Sequence, residues 1–181
     1  MEYKYTIEES DYLTHQLYSV SQSKPAIRRR RRGWAITTGF FFILALFYYA
    51  GSDTIPAYSF LLIGMLSLFL YPLYYRWRYK RHYRKYIREQ FANNFGKSTS
   101  LSFEDDHILA KDDDSESKIG YAQIEIISKL PEHFLIRLKN GHAIIIPKSK
   151  VNYGEALEQE LVRLADRLHL PLKDESHWKW R

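Results

Sequence analysis

Two uncharged stretches decide the fold: GWAITTGFFFILALFYYAGS at residues 33–52 and TIPAYSFLLIGMLSLFLYPLYY at residues 54–75. A helix needs about 20 residues to cross a bilayer, and both stretches reach that length. The mean hydropathy over all 181 residues is −0.43, a value typical of a soluble protein. Because the two stretches are strongly apolar, the residues outside them must be very polar. We therefore predict transmembrane helices at 33–52 and 55–75, joined into an antiparallel hairpin.

Two other interpretations of the hairpin fit the sequence less well. A cleaved signal peptide has a short leading region, whereas 32 residues with their own structural pattern precede the first stretch. A hairpin buried in a soluble core does not need the dense arginine that flanks both stretches.

Positive charge lies on both outer sides of the hairpin. Six basic residues precede it, seven follow it, and neither group contains an acid. The 13 residues are Lys24, Arg28, Arg29, Arg30, Arg31, Arg32, Arg76, Arg78, Lys80, Arg81, Arg84, Lys85 and Arg88. Because basic residues stay on the cytoplasmic side, we expect a multi-pass protein of the cell membrane with both termini in the cytoplasm.

The same basic residues are expected to contact anionic headgroups, each contributing about 1 kcal/mol of attraction. The alternative is that they set the topology and do nothing else. Aromatic residues cluster toward the span ends, as in an interfacial belt. They are Trp34, Tyr48, Tyr49, Tyr58, Tyr71, Tyr74, Tyr75 and Trp77.

The N-terminal residues 1–32 predict a cytoplasmic strand followed by a helix and the arginine-rich edge. Tyr3, Tyr5 and Ile7 alternate with polar residues, and a capping box from Thr6 to Glu9 starts the helix. The apolar positions of that helix are Leu13, Leu17 and Val20. A lone strand and helix are not stable, so we expect residues 2–22 to dock on a later domain.

The second span is predicted to continue into a basic juxtamembrane helix at 76–96. After Gly96 the hydrophobic period becomes two. The predicted strands are Leu101–Phe103, Ile108–Lys111, Lys118–Ala122, Ile124–Lys129, Phe134–Lys139 and Ala143–Pro147. Asn140-Gly141 is the strongest hairpin signal among them.

A helix closes this region, with its apolar stripe from Ala156 to Leu168 and with Asn152 and Glu155 as its cap. Short antiparallel strands followed by one amphipathic helix are the order of the pleckstrin-homology (PH) superfold. We therefore predict a membrane α+β protein: a transmembrane hairpin and a cytoplasmic PH-like barrel or sandwich at 97–170, capped by a C-terminal helix. Residues 171–181 are read as a tail.

The order of these parts resembles the YcxB-like family of bacterial membrane proteins. The resemblance covers nearly the whole chain and rests on that order, on Phe134-Leu135-Ile136 and on Ile144-Ile145-Ile146-Pro147-Lys148. One departure is Gly120-Tyr121, where these proteins often have a tryptophan. The resemblance implies two transmembrane helices with a C-terminal PH-like domain, and it supplies no catalytic residue.

The sequence shows no arrangement for catalysis. Cysteine is absent, and so are the HExxH, GxSxG, GxGxxG and GxxxxGK[ST] motifs. The nearest metal-like cluster, Glu104–His107, is read as a polar turn, and the acidic run 112–114 lacks the offsets of a calcium loop. We predict no metal, no cofactor and no enzymatic activity.

Binding to nucleic acid is also disfavoured, although the pI is about 9.3. Outside the two basic clusters the chain holds 14 basic and 21 acidic residues, a net charge of −7. Nucleic-acid binders carry their basic surface on the folded domain.

The preferred function is a membrane-anchored, non-catalytic interaction or regulatory module that binds an unidentified protein at the cytoplasmic face. The alternative is an accessory subunit of a transporter or envelope enzyme that acts through its hairpin. A third interpretation is headgroup recognition by the PH-like domain, with Arg137, Lys139, Lys148 and Lys150 as the candidate ligand surface. One small-xxx-small pair, Ala35 and Gly39, leaves homo-oligomerisation open.

The charge asymmetry leads to a topology prediction. Reporters fused after Met1 and after Arg181 should both give a cytoplasmic signal, because 13 basic residues flank the hairpin and none lies in its turn. An external signal from either fusion would contradict the hairpin.

Overall fold

The computed structural model describes residues 1–112 and 115–180, which form eight strands and four α-helices. In chain order these are β1 (Glu2–Thr6), α1 (Glu9–Gln22), α2 (Lys24–Ala50), α3 (Thr54–Phe91), β2 (Ser98–Phe103), β3 (His107–Asp112), β4 (Glu116–Gly120), β5 (Ile124–Lys129), β6 (His133–Leu138), β7 (Ala143–Pro147), α4 (Gly154–Arg167) and β8 (Leu172–Asp174). Of the predicted acidic turn, Asp113 and Asp114 lie outside the described residues.

The described chain divides into two compact units. Residues 1–15 and 84–179 form one, here called the β domain, and residues 16–83 with Trp180 form the other, here called the helical unit. Two long apolar helices, two small sheets and a C-terminal helix together make an α+β fold.

The helical unit contains both predicted spans. The Ser23 hydroxyl caps α2 by accepting from the Ala26 amide, and the proline that follows Lys24 fits the first turn. The helix therefore begins well before residue 33, so the first basic cluster and the first apolar stretch share one helix. Similarly, α3 runs from the second stretch through the basic residues and ends at Phe91, five residues before the predicted end at 96. Both helices are long and apolar enough to cross a membrane.

Small and polar residues form the seam between α2 and α3. The hydroxyls of Thr38 and Ser67 lie 2.9 Å apart, which satisfies two polar groups between otherwise apolar helices. Tyr48 stacks on Phe60 with ring centroids 5.5 Å apart. At the other end of the seam, a Cβ on Gly33 would lie 2.8 Å from the Tyr71 hydroxyl, so only glycine lets that tyrosine sit there.

The β domain consists of two four-stranded sheets and α4. The strand orders are β1-β2-β3-β4 and β7-β6-β5-β8. The predicted strands β5 and β7 are confirmed to the residue. The strand predicted at Lys118–Ala122 ends early, because Tyr121 turns into the core and its hydroxyl donates to the Glu104 carbonyl.

The C-terminal residues add a strand that periodicity did not predict. Leu172–Asp174 forms β8, which pairs in parallel with β5. Three exposed residues carry too little hydrophobic pattern to indicate a strand.

The core lies where both sheets and α4 meet. Leu157, Leu161 and Leu164 of α4 are at most 2 % exposed, and each such burial stabilises the fold by about 1.5–3 kcal/mol. The core of the β domain also contains Tyr3 and Tyr5, with Ile7 packed against it. The predicted apolar face of the first strand is therefore buried.

The first strand docks as predicted. β1 pairs antiparallel with β2, from Glu2 opposite Ser102 to Thr6 opposite Ser98. The outer edge of β1 is covered at Lys4, whose amide donates to the Asn152 side chain and whose carbonyl accepts from the Asn152 amide. This contact prevents further pairing at that point of the edge.

Two predicted helix caps are wrong. Thr6 belongs to β1, and the amide of Glu8 is satisfied by the Asp11 carboxylate, which replaces the capping box. Asn152 does not cap α4, because its side chain binds β1; the residue before α4 is Tyr153, in a left-handed conformation with φ 53°.

The pairing of β1 with β2 can be tested with a disulfide, since the chain has no native cysteine. Lys4 lies opposite Ser100, and the backbone groups of Lys4 face away from β2, so this is a close, non-hydrogen-bonded pair with Cα atoms about 4.5 Å apart. Lys4→Cys with Ser100→Cys should crosslink on mild oxidation. The readout is a mobility shift that reductant reverses.

The control is Lys4→Cys with Glu116→Cys. Glu116 lies on β4, three strands from β1 and about 14 Å away, beyond the reach of a disulfide. Equal crosslinking of both pairs would contradict the sheet order.

Candidate functional site

A buried ionic network joins α1 to the second sheet. The Asp11 carboxylate lies 2.9 Å from Nε2 of His133 on β6 and 2.8 Å from Nζ of Lys150, just after β7. Lys150 also pairs with Glu8 at 3.2 Å. Asp11 and His133 are 5 % and 4 % exposed. The network therefore fixes the first turn of α1 to β6 and to the loop before α4.

The environment holds Asp11 in its charged form. Burial by itself raises the pKa of this carboxyl, but hydrogen bonds from His133, from Lys150 and from the Glu8 amide outweigh burial and lower the pKa to about 2. Lys150 is also stabilised in its charged form, because its bonds to Asp11 and Glu8 outweigh desolvation and raise its pKa. One end of the network is open, since Nδ1 of His133 is buried without a hydrogen-bond partner among the described residues.

A second histidine of the β domain, His15, is held neutral. Burial lowers its pKa to about 4, and the neighbouring His133 acts in the same direction. Sequence reasoning predicted neither the burial of His15 nor the contact between Asp11 and His133. Asp11 and His133 are 122 positions apart in the sequence, so no local pattern pairs them.

The four residues predicted as a ligand surface do not form one patch of free cations. Arg137 makes a bidentate pair with Glu125 at 3.0 Å, and Lys150 belongs to the buried network. The ammonium of Lys148 donates to the Leu130 carbonyl at 2.5 Å and lies 4.7 Å from the centre of the Phe134 ring. Lys139 is exposed. To bind at this surface, a lipid headgroup would have to displace the intramolecular partners of Arg137, Lys148 and Lys150.

The basic residues at the end of α3 are held by acids of the β domain. Glu9 accepts from Arg88 at 2.8 Å and lies 3.4 Å from Arg84, while Lys85 pairs with Glu89 at 3.6 Å. Next to them, Tyr12 stacks on Phe91 with centroids 4.9 Å apart. These contacts fasten the start of α1 to the end of α3. Arg84, Lys85 and Arg88, three of the 13 predicted headgroup residues, thus have acidic partners within the β domain.

The remaining predicted residues lie in the helical unit. Most of its basic side chains are exposed, as are four of the predicted interface aromatics: Trp34, Tyr49, Tyr58 and Trp77. Arg81 lies over the ring of Trp77 at 5.3 Å. Tyr75 is half-buried and stacks on Tyr79 at 4.1 Å.

A cleft of about 310 Å³ opens in the β domain, lined by residues of β1, β2 and β3 from one sheet and of β7 from the other. Tyr5 and Ile7 line one side and Ile144 lines the other, while Thr99 and Asp112 are joined at the rim by a 2.6 Å hydrogen bond. The Tyr5 hydroxyl is buried with no partner among the described residues. A cleft with both apolar and polar lining residues suits a segment that offers an apolar side chain and backbone hydrogen-bonding groups.

Across residues 1–112 and 115–180, histidine and acidic side chains do not gather into a group of three that could hold a metal. The predicted polar turn at Glu104–His107 contains one close pair, His107 with Asp106 at 2.5 Å. Hydrogen bonding and charge from His107 lower the pKa of that aspartate.

The fold and cleft define an α+β protein with a β domain and two helices long enough to span a membrane. Residues 103–164 match the family model for YcxB-like protein. The matched region runs from the last residue of β2 into α4, so the chain is similar to this family over that region, which is part of the stretch that the sequence resemblance covered. No curated protein matches the chain.

The pKa of His15 predicts acid sensitivity. Its folded pKa of about 4 lies below the unfolded value, so its contribution to stability is complete above pH 6.5 and is lost as the pH falls toward 4. The full chain in nanodiscs should lose about 1–2 kcal/mol of unfolding free energy from this residue between pH 7 and pH 5.

In His15→Asn most of that loss should disappear. The exposed His142→Asn is the matched control and should keep the pH dependence of the wild type. Denaturant titrations at the two pH values measure the effect, and identical pH dependence in His15→Asn and wild type would contradict it.

Proposed function

We propose that the protein is a membrane-anchored, non-catalytic interaction module of the cytoplasmic face, whose PH-like β domain binds an extended segment of a partner protein. The observation that carries the proposal is the pairing of β1 with β2, because these strands lie on opposite sides of the hairpin in the chain. One β domain is thus connected to both ends of the hairpin.

This connection supports the topology. A strand that precedes the hairpin can pair with one that follows it only if both lie on the same side of the bilayer. The basic residues flanking the hairpin favour the cytoplasm for that side. Both chain termini are then cytoplasmic.

The order of elements supports a PH-like domain. Four strands form one sheet, the next three form most of the second, and α4 packs its leucines into the core. In this arrangement β1 precedes the hairpin in the chain and β2 follows it, so the hairpin is an insertion between the first two strands of the domain.

The cleft supports the binding of an extended segment. Its lining includes Tyr5 of β1 and Ile144 of β7, which are end strands of their sheets. The edge of β1 is already covered by Asn152 at Lys4, which leaves β7 as the strand that a partner segment would extend. A non-catalytic role fits the Asp11–His133 pair, which is too deeply buried to reach a substrate.

The accessory-subunit alternative places the working surface on the hairpin. The membrane-embedded hydroxyls of Thr38 and Ser67, which could bind a partner helix, bond to each other. This favours the β domain as the interaction surface.

A photo-crosslinking amino acid distinguishes the two functions in native membranes. Placed at Asn94, on the rim of the cleft, it should give a protein adduct of one defined mass, whereas placement at the exposed Leu62 of the hairpin should not. Ala143→Trp fills the cleft and should reduce the Asn94 adduct at least tenfold, while Val162→Trp on the exposed side of α4 should leave it unchanged.

Adducts from Leu62 alone would support the accessory subunit instead. An Asn94 adduct that survives Ala143→Trp would contradict the cleft as the binding site.

A further inference from the structure

One wall of the cleft in the β domain carries a row of polar side chains across three strands. Tyr5 on β1 lies opposite Thr99 on β2, and Thr99 lies opposite Asp112 on β3. Residues directly opposite each other in antiparallel strands point to the same face of the sheet. All three line the cleft, and the Thr99 hydroxyl donates to Asp112 at 2.6 Å. The row therefore begins at a buried tyrosine and ends at an exposed carboxylate.

The Tyr5 hydroxyl is a buried donor that needs an acceptor. Its side chain is 3 % exposed, and the hydroxyl has no hydrogen-bond partner within residues 1–112 and 115–180. Burial raises the pKa of this phenol and the charge of Asp112 raises it further, so the hydroxyl keeps its proton. A buried polar group without a partner is unfavourable. A ligand that brings an acceptor oxygen into the cleft removes that cost.

The Asp112 carboxylate is the complementary acceptor. A carboxylate has about four acceptor sites, so Asp112 can accept further hydrogen bonds beside the one from Thr99. The Cα atoms of Tyr5 and Asp112 lie two strands apart, a distance of about 10 Å. The cleft thus presents a donor and an acceptor that are separated by one strand.

The opposite wall is apolar and belongs to the end strand β7, where Ile144 faces the cleft. Even-numbered residues of β7 bond to β6, since the Lys148 amide donates to the Glu132 carbonyl and the register then alternates. The backbone groups of Ala143 and Ile145 therefore point away from β6. A segment that pairs with this edge has its backbone engaged there, so one of its side chains enters the cleft.

We propose that the cleft accepts a side-chain carboxamide, from a glutamine or asparagine of the extended partner segment. Its carbonyl oxygen accepts from the Tyr5 hydroxyl, and its NH₂ group donates to Asp112. The volume of about 310 Å³ equals that of about ten waters, which is room for such a side chain and its apolar stem. This specificity rests on the proposed binding of an extended segment and adds the type of residue that is recognised.

Other polar side chains fit the row less well. A carboxylate has no donor and is repelled by Asp112, whereas an ammonium or guanidinium group has no acceptor for the Tyr5 proton. A hydroxyl carries its donor and acceptor on one atom, so it spans less than a carboxamide, whose two functions lie on separate atoms.

The test starts with random heptapeptides displayed on phage and selected against the full chain in nanodiscs, after removal of those that bind empty nanodiscs. We expect the selected peptides to share one position occupied by glutamine or asparagine, with apolar residues two positions away, as an extended strand requires. Ala143→Trp fills the cleft and should abolish their binding, whereas Val162→Trp on the exposed side of α4 should not.

Synthetic peptides then measure the contribution of the hydroxyl by fluorescence anisotropy. Replacing the amide residue by its apolar analogue, methionine for glutamine or leucine for asparagine, should weaken binding to the wild-type chain at least tenfold. Tyr5→Phe should weaken binding of the amide peptide at least fivefold and change that of the apolar peptide less than twofold. The matched control, Tyr3→Phe, removes a hydroxyl from the same strand outside the cleft and should change both less than twofold.

Asp112→Asn tests the other end of the row. Because this variant offers an N–H donor where the wild type offers only acceptors, it should tolerate a carboxylate in the cleft. A peptide with glutamate or aspartate at the shared position should gain at least tenfold in affinity relative to the amide peptide.

Thermal unfolding of the free chain separates recognition from a structural role. Tyr5→Phe should unfold at the same temperature as the wild type or at a higher one, because the hydroxyl it removes has no partner in the described chain. A hydroxyl that served only the fold would lower the unfolding temperature when removed, and that result would overturn the assignment.

The remaining outcomes separate this specificity from the proposed function. Peptides that Ala143→Trp blocks but that share no amide position would overturn the carboxamide specificity and leave the proposed function standing. An equal effect of Tyr5→Phe on amide and apolar peptides would do the same. Peptides that bind despite Ala143→Trp, or a selection that yields none, would contradict the cleft as the site for an extended segment.

Discussion

The backbone hydrogen bonds between β1 and β2 are the constraint on which the other features of the chain depend. They join Glu2–Thr6 to Ser98–Phe103 across the whole of α1, α2 and α3. Closing so long a segment costs entropy, although the cost grows only with the logarithm of its length. The antiparallel packing of α2 and α3 lowers it further, since the hairpin returns the chain toward its starting point.

Five strand residues provide few hydrogen bonds for this closure, and other contacts of the β domain strengthen it. Asn152 binds the outer edge of β1, Tyr3 and Tyr5 enter the core, and Asp11 ties the following helix to β6. Breaking a buried ion pair by removing one partner typically costs about 3–5 kcal/mol, more than replacing both partners together. The network thus specifies where α1 begins more than it adds to net stability.

Sequence reasoning found the features that rest on local pattern. The uncharged stretches fix the two long helices, and the Asn140-Gly141 turn, with Gly141 at φ 87°, fixes the pairing of β6 and β7. The alternation of apolar and polar residues was enough to predict that Tyr3 and Tyr5 share one apolar face. In contrast, the Asp11–His133 pair joins groups 122 residues apart, and neither residue has a neighbour in sequence that signals the other.

The wrong helix caps have a related cause. Asn152 and Thr6 have side chains suited to capping, but each is needed for a contact with a distant part of the chain. Asn152 gives its amide group to β1, and Thr6 is the last residue of that strand. The α4 helix forms without a side-chain cap because its leucines are buried, and tertiary packing contributes more than one cap.

The number of basic residues in a cluster does not predict what each of them contacts in the fold. By composition the 13 residues form two similar clusters, yet Arg84 and Arg88 share Glu9, whereas Arg30, Arg31 and Arg76 line a cavity of the helical unit. The pairing of Arg84 and Arg88 comes from α1, which brings Glu9 to the end of α3. The charges that the fold neutralises hold the β domain together.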